Sequence, residues 1–162
     1  MNRCALSLLL LAGVFFLTTA SISLQRTAVV LAGEGMTTRV SLDSSGRQAN
    51  DASWSPAISA DGCLVAFSSN ALNLVPNDTN GQPDVFLHDC RNGLTTRLSV
   101  ASSGQEANGW TYGFALSADG RFVAFVSEAS NLVAGDSNRI ADVFLRDMQT
   151  LATTLVLSLI HI

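Results

Sequence analysis

The side chains best suited to chemistry in this chain are oxygen-bearing residues that recur in two loops. Asp78, Asn80 and Asp84 follow the spacing D-x-N-x-x-x-D, and the same spacing returns at residues 136–142. Oxygen donors at alternate positions around a turn are typical of Ca²⁺ sites. They are also typical of a turn closed by its own Asx hydrogen bonds, with Asp84 at the start of a strand. The first loop therefore has two interpretations, a calcium site or a self-bonded turn.

This spacing does not predict an EF-hand. The residues that follow Asp84 and Asp142 are apolar and predict a strand, whereas an EF-hand loop leads into a helix. The second loop also has Arg139 and Ile140 where a calcium loop needs glycine and oxygen. Calcium at the first loop is thus the single cofactor that the sequence suggests.

Catalytic motifs are missing from the sequence. Outside the first twenty residues the only histidines are His88 and His161, and neither G-x-S-x-G nor a metal-spaced His/Cys set occurs. His88 stands where the next copy of a repeat has Arg146, so we expect it to point outward. The sequence predicts a protein that is not an enzyme.

The charge balance argues against one class of partner. Thirteen acidic residues outnumber nine basic ones, and every basic residue is arginine. A nucleic-acid surface needs clustered positive charge against phosphate. We expect protein partners and no nucleic acid.

An internal repeat of 58 residues organises the chain. Thr37–Ser41 returns as Thr95–Ser99, and 29 of the 58 positions are identical between 37–94 and 95–152 without a gap. Such self-similarity is the mark of a repeat architecture. The other recurring segments include Ser59-Ala60-Asp61-Gly62, Val65-Ala66-Phe67, Asn73-Leu74-Val75 and Asp84-Val85-Phe86-Leu87.

Each repeat predicts four short strands joined by tight turns. Asp61-Gly62 and Arg91-Asn92-Gly93 have turn chemistry. The apolar runs of the second and third strands are continuous, which predicts burial on both faces. The fourth strand alternates and is polar, as expected at an outer edge. The predicted strands are 54–59, 64–68, 85–89 and 95–100 in the first repeat, and 112–117, 122–127, 142–147 and 153–157 in the second.

Repeated four-stranded units whose central strands are buried on both faces need identical neighbours on each side, and a β-propeller provides them. The sequence therefore predicts an all-β fold with two complete four-stranded antiparallel blades of a β-propeller. A β-solenoid is the competing architecture, but its repeats are shorter and lack a regular hairpin turn. Outside the first twenty residues no segment has helical periodicity.

Four motifs carry a resemblance to a known family. Ser-Ala-Asp-Gly, Val-Ala-Phe, Asp-Val-Phe-Leu-x-Asp and Thr-Thr-Arg-Leu-Ser resemble the TolB-like, WD-like β-propeller repeat over residues 37 to about 156. The resemblance implies an exported, non-catalytic propeller that binds other proteins. The connections 70–83 and 128–141 are longer than in the plain family repeat. The alternative function is the accessory propeller of a larger secreted hydrolase or peptidase.

A disulfide is expected between Cys63 and Cys90. Cys63 opens the second predicted strand and Cys90 closes the third. Antiparallel neighbours bring these two ends to one rim, and an oxidising compartment permits the bond. The second repeat has Arg121 and Met148 at these positions.

Three aromatic residues lie at the start of the innermost predicted strands, namely Trp54, Trp110 and Tyr112. They fit either packing between blades or an aromatic rim that grips a ligand.

The first twenty residues predict a signal peptide. A positive start at Arg3 precedes a run of apolar residues, and Thr18-Thr19-Ala20 offers small residues for cleavage near Ala20. We expect a periplasmic or extracellular protein with no stable membrane span after cleavage. An uncleaved anchor is the alternative.

The predicted organisation is a signal peptide at 1–20, a leader or linker at 21–36, propeller repeats at 37–158 and a non-repeat tail at 159–162. The blades cover about 42–100 and 101–158. A closed ring needs at least about four blades, so we expect the chain to be a fragment of a larger propeller.

Overall fold

A computed structural model describes residues 37–136, 138 and 140–158. The predicted signal peptide (1–20), the leader (21–36) and the tail (159–162) lie outside these residues. Within the described part, no helix is long and apolar enough to cross a membrane.

Eight strands form two separate four-stranded antiparallel sheets. In each sheet the strands lie in sequence order, and the second and third strands are joined by the long connections 70–83 and 128–141. The strands are β1 Ser53–Ile58, β2 Leu64–Ser69, β3 Asp84–Asp89 and β4 Leu94–Arg97, then β5 Thr111–Leu116, β6 Phe122–Ser127, β7 Asp142–Asp147 and β8 Ala152–Leu157. Most predicted bounds are correct to within one residue, but β4 ends at Arg97, three residues before the predicted Val100.

The first hairpin of each sheet is closed by the chemistry that its sequence predicted. Gly62 has φ of 72°, a left-handed value that glycine adopts without a steric cost. Ser59 Oγ donates to Asp61 Oδ1 at 2.5 Å, and Ser59 Oγ also accepts from Leu64 N at 3.0 Å. The same network recurs around Asp119 in the second repeat.

The outer strand of each sheet is tied to the segment that leads into the first strand of that same sheet. Thr95 Oγ1 donates to Leu42 O at 2.5 Å, and Thr153 Oγ1 donates to Val100 O at 2.6 Å. The segment that follows an outer strand therefore packs along the next sheet's outer edge, which links consecutive repeats.

Each sheet has its own aromatic core on one face. Phe67 and Phe86 stack at 5.9 Å between ring centroids in the first sheet, and Phe125 and Phe144 stack at 5.7 Å in the second. The connection between the second and third strands folds over these rings, with Leu74 and Leu132 buried against them.

The opposite face of the first sheet packs against the second sheet. Val85, Leu87 and Leu98 are buried there, and Phe114 and Leu116 of β5 pack onto them. A backbone hydrogen bond also joins the sheets across their hairpins, with Ala60 N donating to Ala118 O at 2.8 Å. Two consecutive repeats stacked in this way make a propeller-like fold.

The prediction that both faces are buried is correct for the first sheet and wrong for the second. Every residue of β2 except Leu64 is buried, whereas burial alternates along β6 and β7. The apolar run is the same in both repeats. Burial differs because the first sheet has a described neighbour on each face and the second has one on a single face.

Candidate functional site: a buried arginine cluster and an aromatic rim

The three residues of the predicted calcium set lie together in the loop before β3. Asn80 Nδ2 donates to Asp84 Oδ2 at 3.0 Å, and Asn80 Oδ1 accepts from Gln82 N at 2.9 Å. The second of these bonds is the Asx type that the self-bonded interpretation requires. The loop is thus held by its own side chains.

An arginine from β4 occupies the centre of this set. Arg97 Nη2 lies 3.4 Å from Asp78 Oδ2, and Arg97 Nη1 lies 3.2 Å from Asp84 Oδ2. The same Nη1 donates to Glu106 Oε2 at 2.5 Å, and Glu106 also accepts from Thr79 N at 3.1 Å. We call Asp78, Asp84, Arg97 and Glu106 the arginine cluster. The Arg97 side chain is 6 % exposed and the two aspartates less.

Burial and charge act in opposite directions on the carboxyl groups of the arginine cluster. Desolvation raises the pKa of Asp84 to about 6, although Ser99 and Arg97 partly oppose it. Desolvation likewise raises the pKa of Asp78. Burial also disfavours ionised Glu106, but hydrogen bonds from Thr79 and Arg97 prevail and hold its pKa at about 2. The cluster therefore keeps Glu106 ionised and lets Asp84 titrate near neutral pH.

The cluster can neutralise the loop's carboxylates without a metal. A guanidinium already supplies the positive charge that Ca²⁺ would bring, and Asp84 Oδ1 accepts from Ser99 Oγ at 2.5 Å. Asp78 Oδ1 has no hydrogen-bond partner among the described residues. Across 37–136, 138 and 140–158, no three His, Cys, Asp or Glu side chains are grouped as metal ligands. Calcium at Asp78, Asn80 and Asp84 stays a prediction, and the ion would compete with Arg97.

The second loop has the same carboxylates but different neighbours. Leu155 stands where the first repeat has Arg97, and Leu157 stands where it has Ser99. Desolvation raises the pKa of Asp136, and the nearby charge of Asp142 raises it further. Burial and the neighbouring Asp142 therefore favour the protonated form of Asp136.

Cys63 and Cys90 meet at one rim, as the strand order predicted. Cys90 N donates to Cys63 O at 2.8 Å, which continues the β2–β3 ladder by one pair. Directly opposed residues of this hydrogen-bonded kind have Cα atoms about 5.5 Å apart, within the range of disulfides. Both thiols are free in the structure, so the bond stays a prediction.

The expectation that His88 points outward is wrong. Its side chain is buried, and Nδ1 lies 2.8 Å from Thr95 Oγ1. Arg146 at the equivalent position is buried too, and its Nη1 donates to Thr153 Oγ1 at 2.9 Å. Both long side chains serve to hold the outer strand, and desolvation lowers the pKa of His88.

The three aromatic residues are exposed at the start of the innermost strands, β1 and β5. Trp110 is 56 % exposed, and Trp54 and Tyr112 are about 40 % exposed. A bulge in each strand turns the chain next to them, at Ser55 and Gly113, both with positive φ. The two strands lie beside each other. The aromatics are therefore half-exposed at the start of neighbouring strands instead of forming a buried packing layer, and we call these three residues the aromatic rim.

A groove of about 410 Å³ runs beside Trp110. Its walls combine the indole with apolar and amide or carboxylate side chains from one end of the first sheet, where β1 and β3 begin and β2 ends. Such a mixture can stack on a flat or apolar group and hydrogen-bond at its edges. The lining includes Asn50, Asp51, Leu72, Gln82 and Pro83.

Sequence reasoning missed Arg97 and Glu106. Arg97 belongs to the repeated Thr-Thr-Arg motif, and an alternating polar strand at a sheet edge predicts exposure for such a residue. The available signal was the change at that position to Leu155, since a surface arginine and a leucine are not equivalent. Glu106 carried a weaker signal, because the first copy has Gln48 there.

Comparisons with known proteins found matches among solved structures. No family model and no curated protein matches the chain. Among solved structures, it is similar to TolB from Acinetobacter baumannii, with 25% identity, a TM-score of 0.44, and coverage of 67% of this chain and 22% of that one. It is also similar to the β-propeller domain of the Trilobed protease from Pyrococcus furiosus, with 14% identity, a TM-score of 0.41, and coverage of 66% and 28%. The chain spans less than a third of either structure.

Proposed function

We propose that this chain is an exported, non-catalytic propeller module that binds a protein or peptide ligand at the aromatic rim. The observation that carries the proposal is the exposure of Trp54, Trp110 and Tyr112 at the start of both innermost strands. Tryptophan and tyrosine supply large contact areas and are enriched where proteins bind their partners.

The arginine cluster supports the rim and is not itself the binding surface. Its two aspartates are buried and bonded to Arg97. The loop that it fixes continues into Gly81, Gln82 and Pro83, which form one wall of the groove beside Trp110. A ligand in that groove would meet a wall whose position is set by the cluster.

The binding test is selection of a random peptide library, displayed on phage, against the purified chain. Peptides that bind the rim should lose at least about tenfold in affinity for Trp110→Ala, as expected when a buried aromatic anchor is removed. Leu94→Ala is the matched control, because Leu94 is similarly exposed but lies on the outer strand away from the groove. Selected peptides that bind Trp110→Ala and the unaltered chain equally would contradict the proposal.

The export part of the proposal has a separate test. The full reading frame should yield a chain in the periplasm or medium whose mass corresponds to cleavage near Ala20. A chain that keeps its first twenty residues in the membrane fraction would show the anchor alternative. In a larger secreted hydrolase the same rim would serve as an accessory surface, and G-x-S-x-G downstream in the source gene would identify that case.

A further inference from the structure

The second sheet has an open face that is the equivalent of the surface already used between the two sheets. We define this open face as Ala124, Val126, Val143, Leu145 and Val156. Its counterparts Val85 and Leu98 in the first sheet are 0 % exposed, because β5 covers them. Val156, by contrast, is 60 % exposed. No described residue packs on the open face in the way that Phe114 and Leu116 pack on the first sheet.

The first sheet presents the complement of the open face. Ile58 is the counterpart of Leu116, the residue that packs into the junction of the two sheets, and Ile58 is 62 % exposed. Gly62 is the counterpart of Gly120, where an added Cβ would lie 2.1 Å from Leu64 Cδ1. An added Cβ at Gly62 would meet nothing within 4 Å. In the first sheet, therefore, the apolar side chain of Ile58 is left exposed. The space beside Gly62, which we call the Gly62 notch, is empty.

We propose that the open face binds the first sheet of a second copy of this chain, head to tail. In this contact Ile58 of one copy packs onto Val143, Leu145 and Val156 of the other, as Leu116 packs onto Val85, Leu87 and Leu98 within one chain. Phe122 takes the place of Leu64 against the Gly62 notch. Ala118 N donates to Ala60 O of the next copy, as Ala60 N donates to Ala118 O within the chain.

The second copy is the favoured occupant because the two halves of the contact lie on the same chain and are related by the repeat. The existing interface between the sheets provides the geometry of the contact, in which Pro56 takes the position of Phe114. A contact between two different surfaces is heterologous, so it propagates into a ring if the rotation closes and into a filament if it does not. This association is independent of what the aromatic rim binds.

Sedimentation analysis of the purified chain and four samples tests the inference. The unaltered chain should associate beyond a dimer. Ile58→Asp and Val156→Asp should each be monomeric, because each places a carboxylate in the apolar contact. Leu72→Ser is the matched control and should associate normally. Leu72 is a half-exposed apolar residue outside the contact, and the second repeat already has Ser130 at its position.

The decisive sample is an equimolar mixture of the two aspartate variants. Ile58→Asp keeps an intact open face, and Val156→Asp keeps an intact first sheet, so the mixture should form a dimer and nothing larger. Thermal melting checks that both variants remain folded, which their exposed positions favour. A monomeric unaltered chain, association of either variant alone, or a mixture that stays monomeric would each overturn the inference.

Discussion

The two D-x-N-x-x-x-D loops have the same spacing of aspartates, but different residues surround their carboxyl groups. In the first repeat Arg97 at the end of the outer strand and Ser99 just after it reach the aspartates. In the second, Leu155 and Leu157 stand at those positions, and proximity to Asp142 helps raise the pKa of Asp136. The loop conformation is therefore encoded in the loop, whereas its electrostatics are encoded in a strand about twenty residues away. A motif that is repeated in sequence is not repeated in its environment.

The largest expected effect comes from making the first repeat resemble the second. Arg97→Leu should lower the free energy of unfolding by about 3–5 kcal/mol, because it leaves buried carboxylates without their counter-charge. Urea denaturation measures the loss.

Arg91→Leu is the control for the loss of one arginine. Arg91 pairs with Asp61 and Asp89 at the surface, where its side chain is 48 % exposed. Ion pairs of that kind contribute between about 0 and 1 kcal/mol. Similar losses for the two variants would show that the Arg97 contacts are no stronger than surface pairs.

The two repeats also differ at the sheet edge that contains Cys63 and Cys90. At the equivalent edge of the second repeat, Arg121 and Asp147 form an ion pair, with Nη2 2.8 Å from Oδ2. Oxidation of the two thiols should raise stability by about 2–4 kcal/mol. Free-thiol labelling and urea denaturation with and without reductant measure it. The double variant Arg121→Cys, Met148→Cys tests whether a disulfide can also form at the equivalent edge of the second repeat.

The pH dependence of stability distinguishes the carboxyls of the arginine cluster. The pKa of Asp84 is raised to about 6, so its stabilising contribution is present at low pH and is lost as pH rises toward and through 6. The loss amounts to at most about 3 kcal/mol. Asp84→Asn should flatten the fall in stability between about pH 4 and 6.

Glu106 affects stability in the opposite direction, at the acid end of the pH profile. Its pKa of about 2 lies below the ordinary value, so its contribution is present above about pH 4.5 and is lost as pH falls toward 2. Glu106→Gln should flatten the acid limb and leave the Asp84 limb in place. Denaturation curves across this range check both variants, and a change in the same limb for both would contradict the assignment.

The smallest effect concerns a turn. Leu151 has φ of 57° where the first repeat has Gly93 with φ of 74°. A left-handed conformation costs a residue with a Cβ about 1 kcal/mol. Leu151→Gly should therefore raise stability by about 0.5–1 kcal/mol in thermal or urea unfolding, and Gly93→Leu should lower it by a similar amount. Opposite signs would indicate that the Leu151 side chain contributes packing that exceeds the strain.

The strands, their order and the hairpin turns could be predicted because they depend on local patterns that occur twice. Phe67 and Phe125 occupy equivalent positions and make similar stacked ring pairs. Exposure was less predictable, because Val85 and Val143 are equivalent in sequence and differ in burial through their neighbours alone. The location of Arg97 within the carboxylates could not be predicted, since it requires the distance between a loop and an outer strand in three dimensions.

Glu106 completes the arginine cluster of the first repeat, although it belongs to the second. Leu116, ten residues further on, covers the apolar face of the first sheet. During synthesis the first sheet therefore stays unfinished, with Val85 and Leu87 uncovered, until the chain has grown past the hairpin strand of the following repeat. Domains generally form as units from the N-terminus, and uncovered apolar strands are prone to aggregate while they wait. The order of translation thus becomes part of how this protein reaches its native state, with each repeat acting as the folding partner of the one before it.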